Sequence, residues 1–218
     1  MKKVFFVDFD GTVTKTDTCS TMVQIFARDG WKELNRLWEE RKLSTKDCAK
    51  ALFKLFDASL EDIESFLNTV EMDGHFKEFL SLCRERGYRV YILSDGYDFN
   101  IRTIMQKYGI KDVEFYANKL LYHPGKGFDI ECPYENPRCK NCGTCKKGLM
   151  EKLKGEDAQV IYVGDSYSDM CPAGAADLVF AKDVLYRYCM EKGIRAVHYS
   201  SFGDILSALA KPESTEEI

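Results

Sequence analysis

The sequence has little histidine, proline or tryptophan, and it has no long apolar run. Its three histidines, His75, His123 and His198, stand far apart without ligand spacing, so they give no support to a histidine-based metal site. Five prolines and 15 glycines are too few for a collagen-like or low-complexity chain of 218 residues. No stretch approaches the roughly 18 consecutive apolar residues that a helical membrane span needs. The opening run Val4-Phe5-Phe6-Val7 is cut by Asp8 and Asp10 and is followed by no small-residue cleavage site, so it reads as a strand rather than a leader. A net charge of −4 leaves no basic footprint for nucleic acid or an anionic membrane. These shortages predict a cytoplasmic protein with neither a nucleic-acid nor a membrane partner; whether it is a monomer or homodimer is left open by the sequence. What the chain does have is 45% hydrophobic residues, enough to bury a core and to exclude a disordered chain.

Three segments share one layout. Val4-Phe5-Phe6-Val7 runs into Asp8, Val90-Tyr91-Ile92-Leu93 into Ser94-Asp95-Gly96, and Val160-Ile161-Tyr162-Val163 into Gly164-Asp165. Each is apolar on both faces, as strands inside a parallel sheet are. Helical patterns at 76–86, 97–108 and 147–154 separate them, each ending at a glycine. Weaker strands follow at 178–180 and 196–198, with helices from Val184 and Phe202. The alternation predicts an α/β fold, a doubly wound parallel sheet whose ligands bind beyond the carboxyl ends of the strands. Asp8, Ser94 and Asp165 all stand at such ends.

Residues 15–75 break the alternation with helical patterns at 19–27, 31–40, 45–56 and 59–67, the last opening with the capping-box start Ser59-x-x-Asp62. An all-helical segment inserted after the first strand predicts a small cap over a core of residues 1–14 and 76–218. The segment 115–145 reads as irregular and holds a cysteine-rich loop at 132–145. The polar tail from Lys211 is expected to fray.

The first strand ends in Asp8-Phe9-Asp10-Gly11-Thr12, where a side-chain period of two sets Asp8 and Asp10 on one face and Gly11 permits a turn. The third ends in Gly164-Asp165-Ser166-Tyr167-Ser168-Asp169. Up to four carboxylates converging at one sheet edge would repel each other, and a hard divalent cation such as Mg²⁺ resolves this. Lys146, just ahead of the third strand's feeding helix, is the candidate cation at the rim.

Asp8-x-Asp10-x-Thr12, Ser94, Lys146 and Gly164-Asp165-x-x-x-Asp169 resemble, in order, the four motifs of the haloacid dehalogenase superfamily of phosphatases. The helical insertion resembles that superfamily's smaller cap, and the likeness runs over essentially the whole chain. Within it the chain looks most like the phosphoserine-phosphatase branch, and there like methionine-salvage hydroxyketo-methylthiopentenyl-phosphate phosphatases and phosphoethanolamine/phosphocholine phosphatases. Those relatives also carry cysteines just before the motif lysine, as Cys142-Gly143-Thr144-Cys145-Lys146 does. Two departures, Asp95-Gly96 in place of two glycines and Asp17 in place of a glutamate, speak against serine phosphate as substrate.

The resemblance implies an Mg²⁺-dependent phosphomonoesterase acting on a small phosphorylated metabolite. Asp8 would be the nucleophile of an aspartyl-phosphate intermediate and Asp10 the general acid and base. Ser94, Lys146, Thr12, Asp95 and Gly96 would form the phosphate-binding set. Asp8, Asp10 and Asp165 would hold Mg²⁺, and Asp169 would orient Lys146 or a metal-bound water. The alternatives are a phosphoserine phosphatase and, outside enzymes, a thiol- or zinc-responsive binding protein on a degenerate hydrolase core.

Nine cysteines are many for a reducing compartment, and four of them cluster as Cys132, Cys139, Cys142 and Cys145. Two overlapping C-x2-C steps fit a structural Zn²⁺ that would anchor the loop before Lys146, with disulfides or free thiols as the other outcomes and an iron–sulfur cluster a poorer match. Cys19, Cys48, Cys83, Cys171 and Cys189 are dispersed and read as core thiols.

Overall fold

In the computed structural model, which describes residues 2–210, the acidic motifs lie at the ends of adjacent parallel strands. The strands are β1 (Lys2–Val7), β2 (Arg89–Tyr97), β3 (Glu114–His123), β4 (Gly127–Glu131), β5 (Ala158–Gly164), β6 (Leu178–Ala181) and β7 (Ala196–His198). They form one sheet in the order β4-β3-β2-β1-β5-β6-β7, in which only the β3/β4 pair is antiparallel. β1 is central, with Val7 in register with Ile92 on one side and Val163 on the other.

The two-residue period of β1 feeds two cores. Phe5 and Val7 pack with Phe76, Phe79, Ile101, Ile104, Phe202 and Ile205, which come from α5 (Phe76–Glu85), α6 (Asp98–Lys107) and α10 (Phe202–Ala210). Val4 and Phe6 pack on the other face with Leu149, Met150, Ala173, Leu185 and Cys189, from α7 (Lys146–Leu153), α8 (Met170–Ala173) and α9 (Asp183–Lys192). Helices on both faces make the sheet doubly wound, as the strand pattern predicts. Full burial of each such aromatic or aliphatic side chain contributes about 1.5–3 kcal/mol, so both faces of the central strand are firmly held.

Four helices follow β1: α1 (Thr18–Phe26), α2 (Trp31–Glu39), α3 (Thr45–Phe53) and α4 (Leu60–Leu67). Three start on side-chain caps. Asp17 accepts from Ser20 N, Ser44 from Asp47 N, and Ser59 forms the full capping box with Asp62. The chain leaves and re-enters the core at adjacent positions, where Thr14 pairs with Met72 and Lys15 N donates to Glu71 O at 2.9 Å. The excursion thus has a narrow neck and forms the cap.

One expectation needs correction. The segment read as irregular from Phe115 is a hairpin as far as Glu131, turning at Gly125 and Gly127, both with positive φ. Its outer face is only partly buried, which blurred the strand pattern. α3 docks on this hairpin, with Ala49 and Phe53 packed on Ile130 and Phe128 and with Lys46 paired to Glu135 at 3.2 Å. A register shift between Leu93 and Tyr97 lets β2 continue through Ser94-Asp95-Gly96, and α6 starts only after Tyr97. The tail from Lys211 lies outside the described residues. Among those residues no helix is long and apolar enough to cross a membrane.

Candidate active site

Beyond β1 the chain still tracks β5, because Asp8 N donates to Val163 O at 2.9 Å. It then folds tightly over Phe9 O, which accepts from the backbone N–H groups of Thr12, Val13 and Thr14. Gly11 makes this turn at φ +79°, and a Cβ there would stand 2.6 Å from Asp165 Oδ2. A side chain at this position would both strain the backbone and displace the carboxylate facing it.

Lys146, only 3% exposed, is the first residue of α7. Its Nζ donates to Asp8 Oδ1 and Asp169 Oδ1, each at 2.6 Å, and to Ser168 Oγ at 3.1 Å. Asp169 also accepts from Tyr162 Oη at 2.6 Å and, on Oδ2, from the N–H groups of Asp165 and Ser166 at 3.0 Å. Burial works against the Asp169 charge, but Lys146 and these donors outweigh it and hold the carboxyl below its usual range. Burial likewise opposes the charge on Lys146, which its two carboxylate partners nevertheless hold above the usual lysine range. Asp8 is pushed well up by burial and by the charge of Asp169, against the pull of Lys146.

Asp10 sits one pleat further on. Its Oδ1 accepts from Thr18 Oγ and its Oδ2 from Ser94 Oγ at 3.1 Å, while Gly96 N donates back to Ser94 Oγ at 2.9 Å. Burial, then the nearby charge of Asp17, raises Asp10 to about 6, where a carboxyl group exchanges protons readily near neutral pH. Gly96 lies so close that a Cβ would collide with Asp10 Oδ2 and come within 2.9 Å of Cys19 Sγ.

One carboxylate oxygen each from Asp8, Asp165 and Asp169 lie within 4.8 Å of one another. Burial, then Asp169, raises Asp165 to about 7. One buried lysine does not offset this acidic charge. The hydrogen bonds among the described residues occupy Oδ1 of Asp8 and of Asp165 and leave Oδ2 of each. Hard, converging, partly unpartnered oxygens suit a divalent cation of the Mg²⁺ type.

Other residues expected in the site have different surroundings. Thr12 is 1% exposed, and its hydroxyl donates to Asp165 Oδ1 at 2.9 Å. Asp95 has both oxygens engaged by protein donors: Thr45 Oγ at 2.6 Å on Oδ2, and Thr144 N at 2.7 Å and Asn118 Nδ2 at 3.2 Å on Oδ1. The geometry gives the zinc expectation no support. All nine cysteines are free, and no three of the sulfurs of Cys132, Cys139, Cys142 and Cys145 come within 4.8 Å of one another. Cys139 is exposed, whereas burial pushes the Cys142 thiol up to about 12, so it remains protonated. Gly143 lies against the Asn118 side chain, where a Cβ would collide with the amide. Of the dispersed thiols, Cys48, Cys83 and Cys189 are core, but Cys171 is exposed and Cys19 lines the active-site cavity. Thr18, Tyr162, Ser168 and Thr144 were not foreseen. Only Tyr162 carried a signal, as a hydroxyl in an otherwise apolar buried strand that required a partner.

Between this centre and the cap lies a cavity of about 320 Å³. Its floor is Asp8, Asp10, Ser94, Gly96 and Asp165, and its roof is Met22, Val23, Leu52, Phe53 and Phe56. Asp17, Glu39 and Asp183 border it, and no lysine or arginine is among the described residues that line it.

The sequence pattern of the haloacid dehalogenase-like hydrolases matches residues 5–173. The chain is 31% identical over 214 residues to the 2-hydroxy-3-keto-5-methylthiopentenyl-1-phosphate phosphatase of Geobacillus kaustophilus, with 96% of each chain covered. It is 33% identical over 220 residues to the bifunctional enzyme MtnB/MtnX of Bacillus licheniformis, covering 99% of this chain and 51%, about half, of that relative. Among solved structures it resembles a substrate-bound phosphoserine phosphatase, with a TM-score of 0.69 at 22% identity over 95% of this chain and 98% of the other. It also resembles the phosphoserine phosphatase of T. onnurineus, with a TM-score of 0.71 at 18% identity over 98% and 96%. The reading of a binding protein on a degenerate core therefore gives way: the chain belongs to the haloacid dehalogenase-like hydrolases, with the phosphoserine-phosphatase-like fold, and is a phosphoric monoester hydrolase.

Proposed function

We propose that this phosphatase hydrolyses a phosphomonoester whose organic part is uncharged and partly apolar, with the 2-hydroxy-3-keto-5-methylthiopentenyl-1-phosphate of its relatives as the leading substrate. The cavity carries this reading: it joins the carboxylate centre to an apolar roof and has no cationic side chain in its described lining. A phosphoserine substrate would bring a carboxylate into that acidic space without a partner, an arrangement that costs binding. A thioether tail would instead lie among Met22, Leu52, Phe53 and Phe56, where burying apolar surface contributes affinity.

In the proposed mechanism Asp8, with Oδ1 fixed by Lys146, attacks phosphorus as the bond to the leaving oxygen breaks, giving an aspartyl-phosphate. Asp10 carries the proton to that oxygen and then takes one from the water that attacks the intermediate, regenerating Asp8 and releasing phosphate. The Ser94 hydroxyl on the cavity floor acts as a donor to the phosphoryl oxygens, while the buried Lys146 ammonium acts through Asp8, whose placement it fixes. Asp8, the backbone carbonyl of Asp10 and Asp165 would hold Mg²⁺, which when bound neutralises phosphoryl charge, with Asp169 keeping Lys146 in place. Thr12 contributes by orienting Asp165 rather than by touching phosphate.

A second reading is favoured by one observation. Asp17 and Glu39 line the cavity beside Trp38, a combination of carboxylate and aromatic face that receives a cationic amino alcohol such as ethanolamine or choline. The test is kcat/KM with Mg²⁺ for the methylthio keto-enol phosphate, phosphoethanolamine, phosphocholine and phosphoserine. An advantage of about tenfold or more for the keto-enol phosphate is expected. Preference for either amino alcohol phosphate selects the second reading, and preference for phosphoserine overturns both.

A further inference from the structure

Asp95 stands next to Ser94 at the wall of the cavity, yet its carboxylate is closed to phosphate. Both oxygens already accept hydrogen bonds from the protein, and a negative charge there repels a phosphate dianion. The partners come from three parts of the chain. Oδ2 accepts from Thr45, the first residue of α3 in the cap. Oδ1 accepts from Thr144 N in the cysteine-rich loop and from Asn118 Nδ2 on β3. The Thr45 hydroxyl accepts in turn from Trp38 Nε1 at 3.1 Å, so its single hydrogen is committed to Asp95. Thr144 O accepts from Lys146 N at 2.9 Å, and Thr45 N donates to Asn141 O at 2.8 Å, which ties α3 to the same loop a second time. Asn118 and Thr144 are fully buried behind Oδ1, whereas Asp95 and Thr45 are half-buried at the cavity wall.

The two arms reach opposite ends of the cavity. α3 carries Leu52 and Phe53 of its apolar roof, and the loop ends at Lys146, which holds Asp8. We propose that Asp95 is a positioning residue that couples the closed placement of cap helix α3 to the placement of Lys146, through Thr45 on one oxygen and Thr144 on the other. The effect on turnover rests on the active-site reading above; the structural link does not.

The test uses Asp95→Ala, Asp95→Asn and Thr45→Val in the full chain. It measures kcat and KM for p-nitrophenyl phosphate with Mg²⁺ and hydrogen exchange of backbone amides 45–53. Asp95→Ala is expected to lower kcat about 10- to 100-fold, the usual result of a small misplacement in an active site, and to speed exchange in that segment. Asp95→Asn is expected to recover kcat to within about threefold, because its amide oxygen still accepts from Thr144 while its nitrogen donates to the Thr45 hydroxyl. Thr45→Val removes one arm, so KM rises about two- to tenfold and kcat falls less. If Asp95→Asn loses as much as Asp95→Ala while exchange stays at the wild-type rate, the charge itself reads the substrate and the coupling is overturned. Should Asp95→Ala fail to fold, Thr45→Val decides alone: wild-type KM together with wild-type exchange overturns the proposal. Exchange requires no turnover, so it judges the link separately from the role of Asp8.

Discussion

The carboxylate centre and the cysteine-rich loop lie side by side and are built in opposite ways. Lys146 and Asp8 are 138 positions apart in sequence, and Thr12 and Asp165 153, yet each pair is in direct contact. Cys132, Cys139, Cys142 and Cys145 are near neighbours in sequence, and their sulfurs do not gather. Parallel strands with fixed register deliver distant residues to one sheet edge, whereas an irregular loop delivers its side chains wherever its backbone bonds point them. The loop is held by Thr144 on Asp95, Asn141 on Thr45, and Cys145 N on Tyr134 O, none of which involves a thiol.

The largest expected effect lies in the centre. Asp8→Asn should reduce phosphomonoester turnover by about 10³-fold or more while the thermal unfolding transition persists, because a neutral amide is no nucleophile. Substantial residual turnover would show that the converged carboxylates are structural. Next comes Lys146→Met, which keeps length and removes charge. It leaves Asp8 and Asp169 facing each other in a buried site and should cost about 3–5 kcal/mol in urea unfolding. A loss below about 1 kcal/mol, the range of surface ion pairs, would mean that the centre tolerates its own repulsion.

A smaller effect is set by pH. Asp165 is raised to about 7 in the folded, metal-free protein, against an unfolded value near 3.9. Between those values the folded state binds more protons than the unfolded one, so stability falls as pH rises. Lowering the pH from about 8 to about 6 should therefore raise the metal-free Tm, and Asp165→Asn should flatten part of that slope. A slope left whole in Asp165→Asn would remove Asp165 from the coupled group. The smallest effect lies in the loop: Cys139→Ser should change stability by less than about 0.5 kcal/mol, and added Zn²⁺ should not shift Tm. A Zn²⁺-dependent rise in Tm that Cys139→Ser abolishes would erase the contrast between the two regions.

Much of the fold was legible because the signals are local. Doubly apolar strands ending in aspartate, glycines closing helices, and Ser59-x-x-Asp62 each act over a few residues. The hairpin from β3 to β4 was missed because it lies at the sheet edge, where one face is partly exposed and the pattern weakens. In the site, Asp8, Asp10, Asp165 and Lys146 were legible as residues, while Thr18, Ser168 and Thr144 were not. An isolated hydroxyl or backbone N–H has no sequence signature until the fold brings it against a partner.

The sequence by itself determined the parallel α/β core, the helical insertion after the first strand, and the order of charged groups that marks a haloacid dehalogenase-like hydrolase, since each follows from short-range periodicity and motif order. Only the tertiary structure decided that Thr12 bonds Asp165, that Asp95 is enclosed by Thr45, Thr144 and Asn118, and that the cysteines remain apart. Those outcomes depend on where strand register and the β2 shift after Leu93 aim each side chain, and direction through space is a property of the assembled sheet and cap rather than of spacing along the chain.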